Sequence, residues 1–157
     1  MNAIQTHNLT KMYQNKTVVN HINLSVKEGT IFGFLGHNGA GKSTFINMLT
    51  GLCQPSDGTF NLNVQNKREM GVLPDYSSFY NNMTGKEHVK YFCSIMKYDV
   101  SNSEIENLFQ SIGLENGLNL KVKKYSFGMK KKLGIIQAVV IKHKILFLEE
   151  PTSGVDA

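Results

Sequence analysis

The residues 36–44, GHNGAGKST, restrict what this chain can fold into more than any other stretch. They follow the apolar run 30–35 and open the amphipathic stretch 45–49, which is the order of strand, glycine-rich loop and helix that forms a nucleoside triphosphate site. A triphosphate presents several anionic oxygens, and only close-packed backbone N–H donors can surround them without interference from side chains. Hence the glycines at Gly36, Gly39 and Gly41. A helix N-terminus behind the loop aims unpaired N–H groups and the positive end of its dipole at the same phosphates. His37, Asn38 and Ala40 complete the loop, Lys42 would reach the β and γ phosphates, and Ser43, followed by Thr44, would offer a hydroxyl to Mg²⁺. The bland alternative is a glycine turn with an exposed lysine, and the flanking strand and helix speak against it.

At 157 residues the chain is long enough for one domain with a real core. With 41% hydrophobic and 18% charged residues it reads as globular, neither disordered nor fibrous. A formal charge of +5 reads first as a solvated basic face; anionic nucleotide, an acidic membrane surface and nucleic acid are the other readings. Cys53 and Cys93 have no zinc-finger spacing, so neither a metal site nor a disulfide framework follows, and a reduced cytoplasm is compatible. The N-terminal MNAIQTHNLTK has no basic leader or apolar segment, which argues against secretion. The most apolar helical stretch, 133–141, lies between Lys132 and Lys142 and is far shorter than the ~20 residues that cross a bilayer.

In chain order, residues 2–9 and 17–26 read as two strands of an N-terminal sheet, and Tyr13 between them reads by itself as a half-buried tyrosine. Residues 54–58 form a strong turn before a short strand over 59–64; the apolar run 70–73 is stopped by Pro74 and Asp75 and gives way to a polar and aromatic loop. Thr84 to Glu87 has the form of a capping box that starts a helix reaching about Lys97. Ser101 to Glu104 repeats the device ahead of a helix with Ile105, Leu108, Phe109 and Ile112 on one face and an end at Gly113. Residues 84–113 thus look like a helical insert. The basic run 121–124 reads as solvated surface, and Ser126 as the N-cap of a helix over 127–141. Residues 144–148 read as a buried parallel strand that ends in Glu149, Glu150 and Pro151. Paired carboxylates there need compensation, which Mg²⁺ beside Ser43 would give; alternatively the strand simply emerges into solvent.

Four stretches now stand in one order: Tyr13, GHNGAGKS, YSFGM and ILFLEEPTSGVD. Together they resemble the nucleotide-binding subunit of an ABC transporter, over residues 2–157. The resemblance implies an α/β fold, a P-loop NTPase (RecA-like) core with an N-terminal antiparallel β subdomain and a helical insert. It implies one nucleotide-binding domain over 1–157, with a helical subdomain at about 84–130 that carries the signature motif. ATP and Mg²⁺ are the implied cofactors. Tyr13 would stack on adenine, Lys42 and Glu150 would serve catalysis with Glu150 polarising the attacking water, and Ser43, Asp75 and Glu149 would surround the metal. Ser126 and Gly128 would contact the γ-phosphate held by a second nucleotide-binding subunit, and Asp156 would lie on the loop joining the two sites. The implied partners are that second subunit and a membrane permease, with no nucleic acid, and the implied place is cytoplasmic, peripheral on the inner face of the cell membrane.

Four departures from the family pattern bear on activity. Asp75 stands in place of glutamine, as in some export-type members; Phe127 replaces the first signature glycine; Glu149 is one methylene longer than the usual aspartate. The sequence also stops at Ala157, where the family continues through another strand to a histidine, so the C-terminal strands are expected to be missing. Coupling ATP binding and hydrolysis to transport, as export through a separate permease, is the leading reading. An inactive nucleotide-binding fragment and a soluble ABC ATPase acting on ribosomes or DNA are the alternatives.

Overall fold

The computed structural model describes residues 1–74 and 78–151. They fall into two compact units, one over 1–70 and the other starting at Gly71.

The first unit is built on β1 (Asn2–Tyr13) and β2 (Lys16–Lys27), which pair antiparallel, with β3 (Asp57–Leu62) antiparallel on the other side of β1. Both long strands outrun the expected spans 2–9 and 17–26. The ladder continues because it shifts register between Thr6 and Leu9, where Asn8 and His21 take left-handed backbone angles of 47° and 49°. Thr6, nearly fully buried, holds the ladder there: its hydroxyl donates to the Ile22 carbonyl and accepts from the Leu24 N–H, both at 2.9 Å. Gly58, at φ 80°, lies so close to β1 that any Cβ would run into the Asn8 carbonyl, which explains the glycine where β3 begins. Ile4, Leu9, Val19 and Val26 form the apolar side of the sheet. Phe45, Met48 and Leu49 of α1 (Lys42–Leu49) are buried with them, and α1 lies against β2.

The apolar run 30–35 corrects the expectation of a strand. Among the described residues it pairs with no strand, its backbone enters no ladder, and Ile31 and Leu35 are 105% and 92% exposed. Apolar character marks a residue for burial but supplies no hydrogen-bonding neighbour, and without one a strand does not form. Within the run, Phe34 stacks on Phe45 with ring centroids 4.8 Å apart, and the Thr30 hydroxyl donates to the Lys27 carbonyl at 2.7 Å.

The second unit packs α2 (Gly85–Ile95), α3 (Asn102–Ser111) and α4 (Phe127–Val139) around Val89, Cys93, Ile105, Phe109, Leu133, Ile136 and Val140. The α2 capping box is complete: Thr84 Oγ1 accepts from the Glu87 N–H at 3.2 Å, and the Glu87 carboxylate accepts from the Thr84 N–H at 2.8 Å. These bonds hold the Glu87 carboxyl below its ordinary pKa. Only half of the expected second box forms. Ser101 Oγ accepts from the Glu104 N–H at 3.1 Å, but the Glu104 carboxylate turns to Lys142 Nζ at 2.7 Å. Lys121, Lys123 and Lys124 are exposed, as a solvated run should be, while Val122 between them is buried and its N–H donates to the Met83 carbonyl. Tyr125 is buried and donates to the Gly117 carbonyl at 2.7 Å; burial pushes its phenol up to about 12.

A two-stranded sheet pairs β4 (Met70–Leu73) with β5 (Ile145–Leu148). Ile145 and Phe147 are buried but Leu148 is exposed, so β5 is not covered throughout as its composition suggests; β4 is its one neighbour among the described residues. Among the same residues no helix is long and apolar enough to cross a membrane.

Candidate functional site

The loop 36–44 has the backbone that its glycines allow. Gly39 and Gly41 take φ of 80° and 89°, and a Cβ on Gly41 would run into the Val18 carbonyl of β2. The loop turns on a bond from the Ala40 N–H to the His37 carbonyl, 3.1 Å, and α1 begins with the Phe45 N–H on the Gly41 carbonyl, 2.9 Å. Gly41 is the N-cap residue, no side chain caps the helix, and its first turn holds no acidic residue. The first-turn amides therefore have neither an intrahelical nor a side-chain acceptor. Gly36, His37, Asn38, Gly39, Ala40 and Ser43 are exposed, and nothing lies within 4 Å of a Cβ placed on Gly39. Lys42 arches back over the loop, its Nζ donating to the Gly36 carbonyl at 2.6 Å and the His37 carbonyl at 3.1 Å. The result is an exposed glycine loop before an uncapped helix start with one ammonium at its edge, and this fits a polyphosphate anion.

Tyr13 ends β1 about half exposed, 49%, with Lys11 Nζ over its ring, 5.0 Å from the centroid. Partial burial, and then a hydrogen bond with Cys53, hold its phenol above the ordinary value. Lys11 carries no mark of this place in the sequence. The expected strand ends at residue 9, and only its extension to Tyr13 puts Lys11 and Tyr13, two apart, on one face.

Ser126 is the N-cap of α4, as expected, its Oγ accepting from the Met129 N–H at 3.2 Å. Gly128 is in the first turn, partly buried. The Phe127 ring is 64% exposed, with Lys131 Nζ 5.7 Å from its centroid, so its bulk points into solvent without disturbing the helix start. Lys131, four residues on and also unremarked from the sequence, donates to the Glu150 carbonyl at 3.4 Å. The Glu149 N–H extends the β5 pairing to the Leu73 carbonyl at 2.9 Å, and its side chain is half-buried. Glu150 is exposed at a left-handed φ of 45°. Thus Tyr13 and the loop belong to the first unit, and Ser126, Gly128, Glu149 and Glu150 to the second. Asp75 and Asp156 lie outside the described residues. Among the described residues no group of three or more His, Cys, Asp or Glu gathers to hold a metal unaided. Mg²⁺ commonly takes most of its ligands from phosphates and water, and for that the exposed Ser43 hydroxyl is a suitable protein contribution.

His88 is a further buried group, 3% exposed, that the sequence did not mark. Its Nε2 meets Gln137 Oε1 at 2.9 Å, its Nδ1 accepts from the Tyr80 N–H at 3.5 Å, and burial lowers its pKa.

Residues 19–153 match the family model described as ABC transporter. The chain is 38% identical to the bacitracin transport ATP-binding protein BcrA of Bacillus licheniformis, over 98% of its own length and 52% of the relative's. It is 32% identical to the lantibiotic transport ATP-binding protein SrtF of Streptococcus pyogenes, over 98% and 68%. The fold superposes with a TM-score of 0.81 on an ATP-binding subunit of an ABC transporter, at 27% identity, covering 98% of this chain and 68% of that one. The chain spans about half the length of several of the curated relatives it matches.

Proposed function

Since the chain belongs to the ABC transporter ATP-binding family and has its P-loop NTPase fold, we propose that it binds ATP with Mg²⁺ and couples the binding and hydrolysis of ATP to export through a separate membrane permease. The observation that carries this reading is the uncapped start of α1 behind a glycine cradle with Lys42 at its rim. The names of the relatives, a bacitracin transport and a lantibiotic transport ATP-binding protein, support a role in transport. On this reading residues 1–157 form one nucleotide-binding domain, with a helical subdomain at about 84–130.

The residues then divide the work. The amides of residues 39–44 take the β and γ phosphates, and Lys42 leaves the carbonyls of Gly36 and His37 to neutralise them. Ser43, Glu149 and Asp75 would hold the metal, which would supply charge neutralisation at the γ-phosphate. Tyr13 stacks on the base. Glu150 orients the attacking water for in-line displacement, chemistry that needs positioning more than covalent help. Ser126 and Gly128 meet the γ-phosphate held by a second copy, and Asp156 belongs to the loop between the two sites. The dimer works on the inner face of the membrane, beneath the permease.

Measurement of ATP binding and turnover by the full chain and by Glu150→Gln tests the division of roles. Retained binding with turnover lost in the variant is expected; equal turnover by both chains would remove Glu150 from the chemistry. The run 30–35, which pairs with no strand among the described residues and leaves Ile31 fully exposed, favours a second reading in which this polypeptide alone binds ATP without turning it over. A wild-type chain that binds ATP but lacks turnover would support that reading.

A further inference from the structure

The end of β1 is tied to one short segment through Thr10, Lys11 and Met12. Lys11 Nζ donates to the Gln54 carbonyl at 2.6 Å. The Met12 N–H donates to Ser56 Oγ at 3.0 Å, and Ser56 Oγ donates back to the Met12 carbonyl at 3.3 Å. The Ser56 N–H adds a backbone bond to the Thr10 carbonyl at 2.9 Å. The segment 53–56 follows α1, whose other end is the phosphate loop. A flexible surface tyrosine would need none of this. Here an exposed ring is held at a fixed place relative to the helix that carries the candidate phosphate site.

Within that arrangement Lys11 has a position of its own. Its ammonium is anchored by a carbonyl and lies over the ring at 5.0 Å, inside the range of a cation–π contact. One face of Tyr13 is therefore covered, and the ring is still half exposed. A planar base can stack only on an open face, and a cation on the opposite face restrains the ring without competing for it.

From this we infer that Lys11 is a positioning residue for the nucleotide base: it clamps one face of Tyr13 and so sets how tightly the other face holds the base. The inference rests on the reading that Tyr13 stacks on that base, and it adds a residue that acts on the base alone and not on the phosphates. A surface pair that merely stabilises the hairpin would show no such division.

Calorimetric titration with Mg²⁺-ATP and with Mg²⁺-tripolyphosphate, which has phosphates but no base, separates these cases in the full chain, Lys11→Ala, Lys11→Arg, Tyr13→Ala and the double variant. Tyr13→Ala should weaken ATP binding by about five- to a hundredfold, the range of base–aromatic stacking. Lys11→Ala should weaken it by about two- to fivefold, the range of an exposed cation–π contact, and Lys11→Arg should restore it. The double variant should bind ATP no more weakly than Tyr13→Ala, and tripolyphosphate affinity should be the same throughout. The role of Lys11 is overturned by ATP affinity that is unchanged or tighter in Lys11→Ala, by losses that add in the double variant, or by an equal loss for tripolyphosphate. If Tyr13→Ala binds ATP like the wild type, the stacking reading itself fails, and the Lys11 inference with it.

Discussion

The starts of α1 and α4 are two answers to one problem. Every helix leaves its first amides without intrahelical acceptors. At α4 the chain answers internally, with Ser126 Oγ accepting from the Met129 N–H. At α1 it leaves the question open: Gly41 occupies the N-cap in a left-handed conformation and offers no side chain. A capped start needs no ligand, whereas an uncapped start behind an open glycine loop is completed by an anion. The α2 start, with its full box, is the closed extreme. The difference teaches that the α1 start has no side-chain acceptor to give up before it meets an anion, whereas Ser126 must share or give up a satisfied bond.

The largest test of this contrast removes the ammonium from the open end. Lys42→Ala should weaken ATP binding by at least about tenfold, since a hydrogen bond to a charged group contributes about 1.5–3 kcal/mol; isothermal titration reads this directly. Unchanged affinity would break the contrast at its stronger side.

Gly41→Ala comes next. It forces a Cβ onto φ 89° and into the Val18 carbonyl, and should lower stability by about 1–3 kcal/mol in chemical unfolding. An unaltered unfolding midpoint would mean that position 41 does not require glycine.

Ser126→Ala sharpens the other side. Loss of the cap should lower stability by about 1 kcal/mol while ATP affinity of the monomeric chain is unchanged. A drop in monomer affinity would contradict the placing of Ser126 opposite a second copy.

The smallest effect is a pH slope away from both helix starts. His88 has a folded pKa below its ordinary 6.5, so the unfolded chain binds the extra proton as pH falls. Its contribution to stability should be intact above about pH 6.5 and decline as pH falls from there through the lower folded value. Unfolding midpoints across that window should show this decline in the wild type, and a shallower one in His88→Gln.

The features legible in the sequence are those whose physics is local. The glycines of residues 36–44, the Ser126 cap and the Thr84 box each concern bonds within a few residues, and the structure forms them as read. The misjudged features depend on distant neighbours. The run 30–35 has strand composition but no partner among the described residues. Glu104 has the spacing of a capping box, yet Lys142 draws its carboxylate away. The bulge at Asn8 and His21, which lengthens β1 and β2 beyond their expected ends, is a matter of pairing and not of composition. Within the candidate site, Tyr13 was visible through its family resemblance, while Lys11 needed the Gln54 carbonyl to give it a place.

The central claim is that the start of α1 is open to a phosphate and the start of α4 is not, in one copy of the chain. Backbone amide chemical shifts during a Mg²⁺-ATP titration of the monomer read both ends in a single experiment. The account predicts large shifts at Gly39, Gly41, Lys42, Ser43 and Thr44, with the Gly128 and Met129 amides unmoved. Shifts at Met129 with the amides of residues 39–44 unchanged would contradict it.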